Sequence, residues 1–162
     1  MLTTDRLILR TARQNDLLDL FAIYSDPHAM RYWSTPPHAN PEQTQENLDQ
    51  MIVGEGQTFF VIEKDGTAIG TVGMHQENEV GFLLHPDFWR QGIITEAMKV
   101  ILPHIWATTN QSELIADADP HNVASVGLLE SLGFTQSHFA KNTFCINGVW
   151  SDSVYYKIYR PS

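Results

Sequence analysis

The chain has 162 residues, 43% of them hydrophobic and 18% charged, which fits one domain spanning 1–162 and excludes a disordered chain. Nineteen acidic against ten basic side chains give a net charge of −9, which argues against a nucleic-acid partner and favours a cationic one such as an amine. No apolar run is long enough to cross a membrane, the start MLTTDRLILR has no signal-peptide core, and the single Cys145 fits a reducing compartment, so a cytoplasmic protein is expected.

The first strand is expected at Leu7-Ile8-Leu9-Arg10. A helix follows from Gln14 to Tyr24, with Leu17, Leu20, Phe21 and Tyr24 at helical spacing, and Asp26-Pro27 stops it. Residues 34–41 hold three prolines and read as a connecting loop rather than a domain boundary. A second helix is expected from Pro41 to Val53, with Leu48, Met51 and Ile52 on one face. Two apolar segments, Thr58–Glu63 and Ala68–Met74, flank Lys-Asp-Gly-Thr and read as an antiparallel hairpin.

A strand is expected at Glu79–Leu84, ending at His85-Pro86-Asp87. The next helix runs from Gly92 towards Trp106 with Ile94, Ala97, Met98, Ile101, Leu102 and Ile105 on one face. Pro103 is expected to kink or shorten it. A strand at Glu113–Asp117, a helix at Asn122–Leu132 closed by Gly133, and a last strand at Val154–Tyr159 complete the chain. An antiparallel beginning followed by alternating strands and helices makes the fold α/β with a mixed sheet.

Chemistry concentrates where the strand ending at Leu84 passes through Trp89-Arg90-Gln91-Gly92-Ile93-Ile94-Thr95 into a helix. A helix start has unpaired N–H groups and a partial positive charge, and a glycine there lets a phosphate approach the backbone. No Gly-Lys-Ser/Thr and no G-x-G-x-x-G follows, so this is neither a Walker loop nor a dinucleotide fingerprint. Seven scattered histidines without H-E-x-x-H spacing or a cysteine cluster imply no metal site.

The same stretch resembles the pyrophosphate-binding segment of the GNAT acetyltransferase superfamily, Gln/Arg-x-x-Gly-x-Gly/Ala, with the first glycine at Gly92. Trp89 and Ile94 depart from that pattern. Phe88 to Ala97 is instead similar to the ribosomal-protein N-acetyltransferase (Rim-type) branch, with its aromatic-Trp-x-x-Gly-x-x-Thr/Ser-x-Ala form. Downstream, Asn122-Val123-Ala124-Ser125 followed by Leu132-Gly133-Phe134 resembles the family's Asn-x-x-Ser…Leu-Gly-Phe segment. The amino-terminal Thr4–Arg10 and the turn before Tyr155 look like the same branch.

This resemblance implies a single-domain GNAT-like fold, with a splayed strand pair in a mixed central sheet and helices on both faces. It implies acetyl-CoA as cosubstrate, held by Phe82, Leu83 and Leu84 along the arm and by Arg90, Gln91, Gly92, Ile93, Ile94 and Thr95 at the pyrophosphate, with Asn122 and Ser125 beside it. It implies direct acetyl transfer to a primary amine: a protein N-terminus, an amino acid, a polyamine or an amino sugar. Glu79 stands where relatives place a general base, and Ser125 where the Rim-type branch places an acid; Tyr155 or Tyr156 is the alternative acid. Phe144 and Cys145 stand where some Rim-type enzymes carry a glutamate. Cys145 has no evident base beside it and is read as a buried, unreactive thiol. Tyr32 and Trp33 lie in the region that lines the acceptor site in relatives. A monomer or homodimer is expected. A non-catalytic acyl-CoA-binding module of the same fold, and a small nucleotide-binding protein using the same helix start, are the competing readings.

Overall fold

Apolar runs flank the tight turn at Asp65-Gly66, and the strands they form join others in one sheet. In the computed structural model, which describes residues 1–54 and 58–162, the sheet has eight strands. Their order across the sheet is β1 (Leu2–Thr3), β2 (Ile8–Arg10), β3 (Phe59–Lys64), β4 (Thr67–Gln76), β5 (Glu79–Leu84), β6 (Glu113–Ala118), β8 (Val149–Tyr159) and β7 (Thr135–Ile146). All neighbours are antiparallel except β5 and β6, which are parallel. The hairpin expected around Asp65-Gly66 joins β3 to β4.

Strand β7 was not foreseen. Its sequence, TQSHFAKNTFCI, has no period of two because most of its residues are exposed at the sheet edge. Its pairing comes from the Asn147-Gly148 turn and from β8, whose Val154 and Tyr156 reach the core.

Among the described residues, four α-helices cover the sheet. Helix α1 (Leu17–Tyr24) follows a short 3-10 turn, and α2 (Pro41–Gly54) begins on its proline. Helix α3 (Ile93–Thr108) buries Ile94, Ala97, Met98, Ile101, Leu102 and Ile105, the stripe that the spacing predicted. Pro103 does not shorten it. The helix continues to Thr108, because fully buried Ile101 and Ile105 hold it to the sheet on both sides of the proline. Truncating one such isoleucine would cost about 2–5 kcal/mol, comparable with the local penalty of a helical proline. Helix α4 is Val123–Ser131.

The core divides between the two faces of the sheet. On one, Leu9, Ile62, Val72, Val80 and Leu84 pack with the α3 stripe and Leu129 of α4. On the other, Leu83 packs with Leu20, Ile23, Tyr24 and Leu48 from α1 and α2. Among the described residues, no helix is long and apolar enough to cross a membrane.

One irregularity matters most for function. Strands β5 and β6 share a single register pair, Glu79 opposite Ile115, next to the Ile115 N–H donating to the Asn78 carbonyl at 2.8 Å. Beyond Glu79 the two strands part, and β5 keeps ladder partners only on its β4 side.

Candidate active site

The parting of β5 from β6 opens a cleft of about 760 Å³, within the size range of small-molecule sites. Glu79, Phe82, Leu83 and Leu84 line it from β5. Arg90, Gly92, Ile93, Ile94 and Thr95 line it from the start of α3, and Asn122 and Ser125 from the start of α4. The two sequence motifs, the one around Gly92 and the one beginning at Asn122, therefore meet in one cavity. Gln91 is not part of the lining: its side chain donates to the Asp87 carbonyl at 3.2 Å.

Two helix starts enter this cleft, and they differ. Asn122 caps α4, its Oδ1 accepting the Ser125 N–H at 3.2 Å, so part of that first turn is already satisfied. Helix α3 begins on Gly92, with φ of 72° and no side-chain cap. Its first N–H groups lack a side-chain acceptor at the cap and face a partial positive field, as an anion site requires. A residue with a β-carbon would be strained at this left-handed φ. The free edge of β5 and the uncapped start of α3 together fit an extended arm ending in a pyrophosphate.

Trp89, the departure from the family pattern, has a structural task here. Its indole N–H donates to the Leu84 carbonyl at 2.9 Å, tying the turn before α3 to the end of β5.

The remaining lining is acidic and aromatic. Glu79 and Asp117 alternate with residues packed under α3, so both face the side of the sheet covered by α1 and α2. Burial pushes the Glu79 carboxyl above its ordinary range. Burial also pushes Asp117 up; a hydrogen bond from Ser153 opposes that shift, and the charges of Glu79 and Asp119 reinforce it. His75 on β4 lies with Nε2 3.8 Å from Glu79 Oε1. Its ring fits because Gly81 on the neighbouring strand β5 has no β-carbon; one there would lie 3.1 Å from Nε2. Tyr32, Trp33, Phe144 and Asp152 also line the cleft.

Sequence reasoning did not single out His75, Asp117, Asp119 or Asp152. For Asp117 a signal existed: an acidic residue between the buried Ala116 and Ala118 must face the opposite side of the strand from them.

The tyrosine candidates lie elsewhere. Tyr155 is stacked on the His138 ring with centroids 4.3 Å apart, and buried Tyr156 donates its hydroxyl to Glu130 Oε1 at 2.9 Å. Neither lines the cleft. Cys145 is exposed rather than buried, because the outer strand β7 leaves it uncovered, and it too is outside the lining.

Comparison with known proteins agrees with this geometry. Residues 6–135 match the family described as "Acetyltransferase (GNAT) domain". The chain is 30% identical to the uncharacterised N-acetyltransferase p20 of Bacillus licheniformis, over 82% of this chain and 81% of that one. It is 24% identical to the spermidine N(1)-acetyltransferase of Escherichia coli K12, covering 90% and 82% of the two chains. It is 25% identical to that organism's [ribosomal protein uS5]-alanine N-acetyltransferase, covering 94% and 87%. Among solved structures, the fold is similar to a GNAT-family acetyltransferase from Bacillus anthracis, with a TM-score of 0.85, 20% identity and coverage of 97% and 96%. It is also similar to spermidine N-acetyltransferase from Vibrio cholerae in complex with CoA and spermine, with a TM-score of 0.82, 21% identity and 96% coverage of each chain. Relatives from more than one GNAT branch thus stand at similar distance, so the family is shown and the Rim-type branch is not singled out. The chain belongs to the GNAT acetyltransferase domain family and is an acetyl-CoA-dependent N-acetyltransferase.

Proposed function

We propose that the chain transfers the acetyl group directly to a small primary amine that carries at least one further positive charge. The observation that carries this reading is the acidic lining: Glu79, Asp117, Asp119 and Asp152 share one cleft with the uncapped start of α3. Two of those carboxyls, Glu79 and Asp117, are half-buried, and their mutual repulsion is relieved most simply by a cationic ligand. The spermidine acetyltransferases among the relatives and structural neighbours support the choice, and Tyr32 and Trp33 supply aromatic faces suited to an ammonium or an alkyl chain.

Acetyl-CoA supplies an activated thioester. The rest falls to the chain's own groups. The free edge of β5 orients the pantetheine arm, and the first amides of α3, with Arg90 near by, hold the pyrophosphate. Glu79 accepts the proton of the attacking ammonium, directly or through one water, and its pKa, raised by burial, makes it a stronger base than an ordinary carboxylate. Ser125 donates its hydroxyl proton to the departing thiolate and regains one from the proton that the attacking nitrogen releases as the amide forms. Asp117 and Asp119 hold the distal positive charge.

The test is thiol release from acetyl-CoA across an amine panel: spermidine, a diamine, a neutral-tailed monoamine, an amino sugar and a short peptide with a free N-terminus. The diamine and spermidine are expected to give the highest kcat/KM, falling with added salt. A neutral-tailed amine or the peptide outperforming both would overturn the acceptor assignment.

A further inference from the structure

We infer that Arg6, which lies outside the cleft, is a positioning residue for the pyrophosphate site. The inference rests on the cofactor site described above. Arg6 donates through Nη2 to the Gln91 carbonyl at 2.9 Å and through Nε to Glu96 Oε2 at 2.8 Å, while Nη2 also lies 2.6 Å from that oxygen. Thr4 completes the clamp, its hydroxyl donating to Glu96 Oε1 at 2.5 Å. These groups line a separate shallow groove with Asp5, Lys99 and Val100.

The Gln91 carbonyl belongs to the peptide plane that carries the Gly92 N–H. That bond is trans, so the carbonyl and the N–H point in opposite directions. Arg6 draws the carbonyl to the outer side of the turn. The N–H of Gly92 is thereby turned to the inner side, where Gly92 lines the cleft. Glycine at φ 72° has the backbone freedom to let this plane rotate, so without a restraint the plane would sample orientations useless for binding. Arg6 removes that freedom before the ligand arrives, which is preorganisation by a residue that never touches the ligand.

The clamp has an electrostatic side as well. Glu96 sits in the first turn of α3, where its charge would repel an incoming pyrophosphate. The Thr4 hydrogen bond, followed by those from Arg6 and the Arg6 charge, holds the Glu96 carboxyl below its ordinary range against a contrary push from burial. Glu96 is therefore ionised, and Arg6 offsets that charge beside the start of α3.

The experiment is an NMR titration of the ¹⁵N-labelled chain with acetyl-CoA and, separately, with pantetheine, which has the thiol arm but no pyrophosphate. Arg6→Gln is expected to weaken acetyl-CoA roughly 10-fold, the loss of one charged hydrogen bond's worth of preorganisation, while pantetheine affinity changes less than about twofold. The Gly92 amide, strongly shifted by acetyl-CoA in the native chain, should respond less in the variant. Arg6→Lys keeps one charged donor for Gln91 and should recover part of the loss. Acetyl-CoA affinity in Arg6→Gln within twofold of the native chain overturns the inference, as does equal weakening of both ligands, the mark of a general structural defect. A native chain that binds neither ligand overturns the cofactor reading itself.

Discussion

Asn122 holds Ser125 at two points: its Oδ1 accepts the Ser125 N–H at 3.2 Å, and its Nδ2 donates to the Ser125 Oγ at 2.9 Å. With its oxygen serving as an acceptor from Asn122, the serine has its own hydroxyl hydrogen left to donate, and Ser125 lines the cleft. That is the arrangement an acid for a departing thiolate needs. Ser125→Ala is expected to lower kcat roughly 10-fold, at the low side of what one proton donor contributes, with acetyl-CoA affinity within about twofold of native. Asn122→Ala should lower kcat similarly and also cost about 1 kcal/mol of stability, because α4 loses its cap. Steady-state kinetics beside thermal unfolding separates the two effects. Unchanged kcat in Ser125→Ala would remove the acid role.

Glu79→Gln tests the base. The glutamine keeps size and polarity but accepts no proton, so kcat should fall about 100-fold or more while acetyl-CoA affinity holds. The same change should raise stability at neutral pH. The folded-state pKa of Glu79 is raised by burial, so the folded chain binds this proton more tightly than the unfolded chain does. Its contribution is fully present below the unfolded pKa and is lost as pH rises through the folded one. At pH 7 the ionised carboxylate is therefore a net cost that the amide avoids. A Tm for Glu79→Gln below native at neutral pH would contradict this sign.

Gly92→Ala should weaken acetyl-CoA far more than it disturbs the empty protein. The nearest atom to an added β-carbon is Arg6 Nη2 at 4.0 Å, so the protein itself has room for it. What remains is the left-handed φ of 72°, which costs about 1–2 kcal/mol for a non-glycine residue and falls on the turn that presents the first amides of α3. Calorimetric titration with CoA should show at least 10-fold weaker binding, beyond what the unfolding midpoint accounts for. Equal losses in both would mean that the backbone strain alone matters.

The ordered motifs made the part of the cleft at the starts of α3 and α4, the part proposed to hold the cofactor, legible in the sequence. Gly92, Ile94 and Thr95, and likewise Asn122 and Ser125, are neighbours along the chain, and local rules of helix starts apply to each set. The part proposed for the acceptor was mostly illegible, because His75, Asp117, Phe144 and Asp152 come from four different strands. Their meeting depends on strand order, above all on β8 pairing with β6 and leaving β7 at the edge, which no local pattern encodes. Strand β7 itself was missed for a related reason, since an exposed edge strand buries too little to show alternation. The helix was not shortened at Pro103 because tertiary burial of Ile101 and Ile105 outweighed a local propensity.

The buried ion cluster at the start of the fold offers a test of stability. Arg10 donates to both oxygens of Asp16, at 2.9 and 2.7 Å, and to the Thr11 carbonyl at 3.1 Å, and it also pairs with Glu63. The Arg13 N–H adds a further bond to Asp16 at 2.7 Å. Arg10 and Asp16 are 6% and 3% exposed, so neither can exchange its partner for water. Burial pushes the Asp16 carboxyl up, but the Arg10 hydrogen bonds and charge and the Arg13 backbone together bring it below its ordinary range. A carboxylate lowered in the folded state adds stability above its unfolded pKa, and that stability is lost as pH falls through the folded one. Arg10→Met leaves Asp16 buried without its counter-charge and should cost about 3–5 kcal/mol at pH 7. In the variant the Asp16 pKa must rise, so mild acid lets the carboxyl take a proton instead of remaining an unpaired charge. The deficit relative to native should therefore shrink at about pH 4. Adding Asp16→Leu to Arg10→Met should restore part of the loss at pH 7, since it removes the orphaned charge. Urea unfolding of the native chain and both variants at the two pH values measures each difference; a deficit that is constant with pH would place the cost in lost packing of the arginine stem rather than in the charge of Asp16.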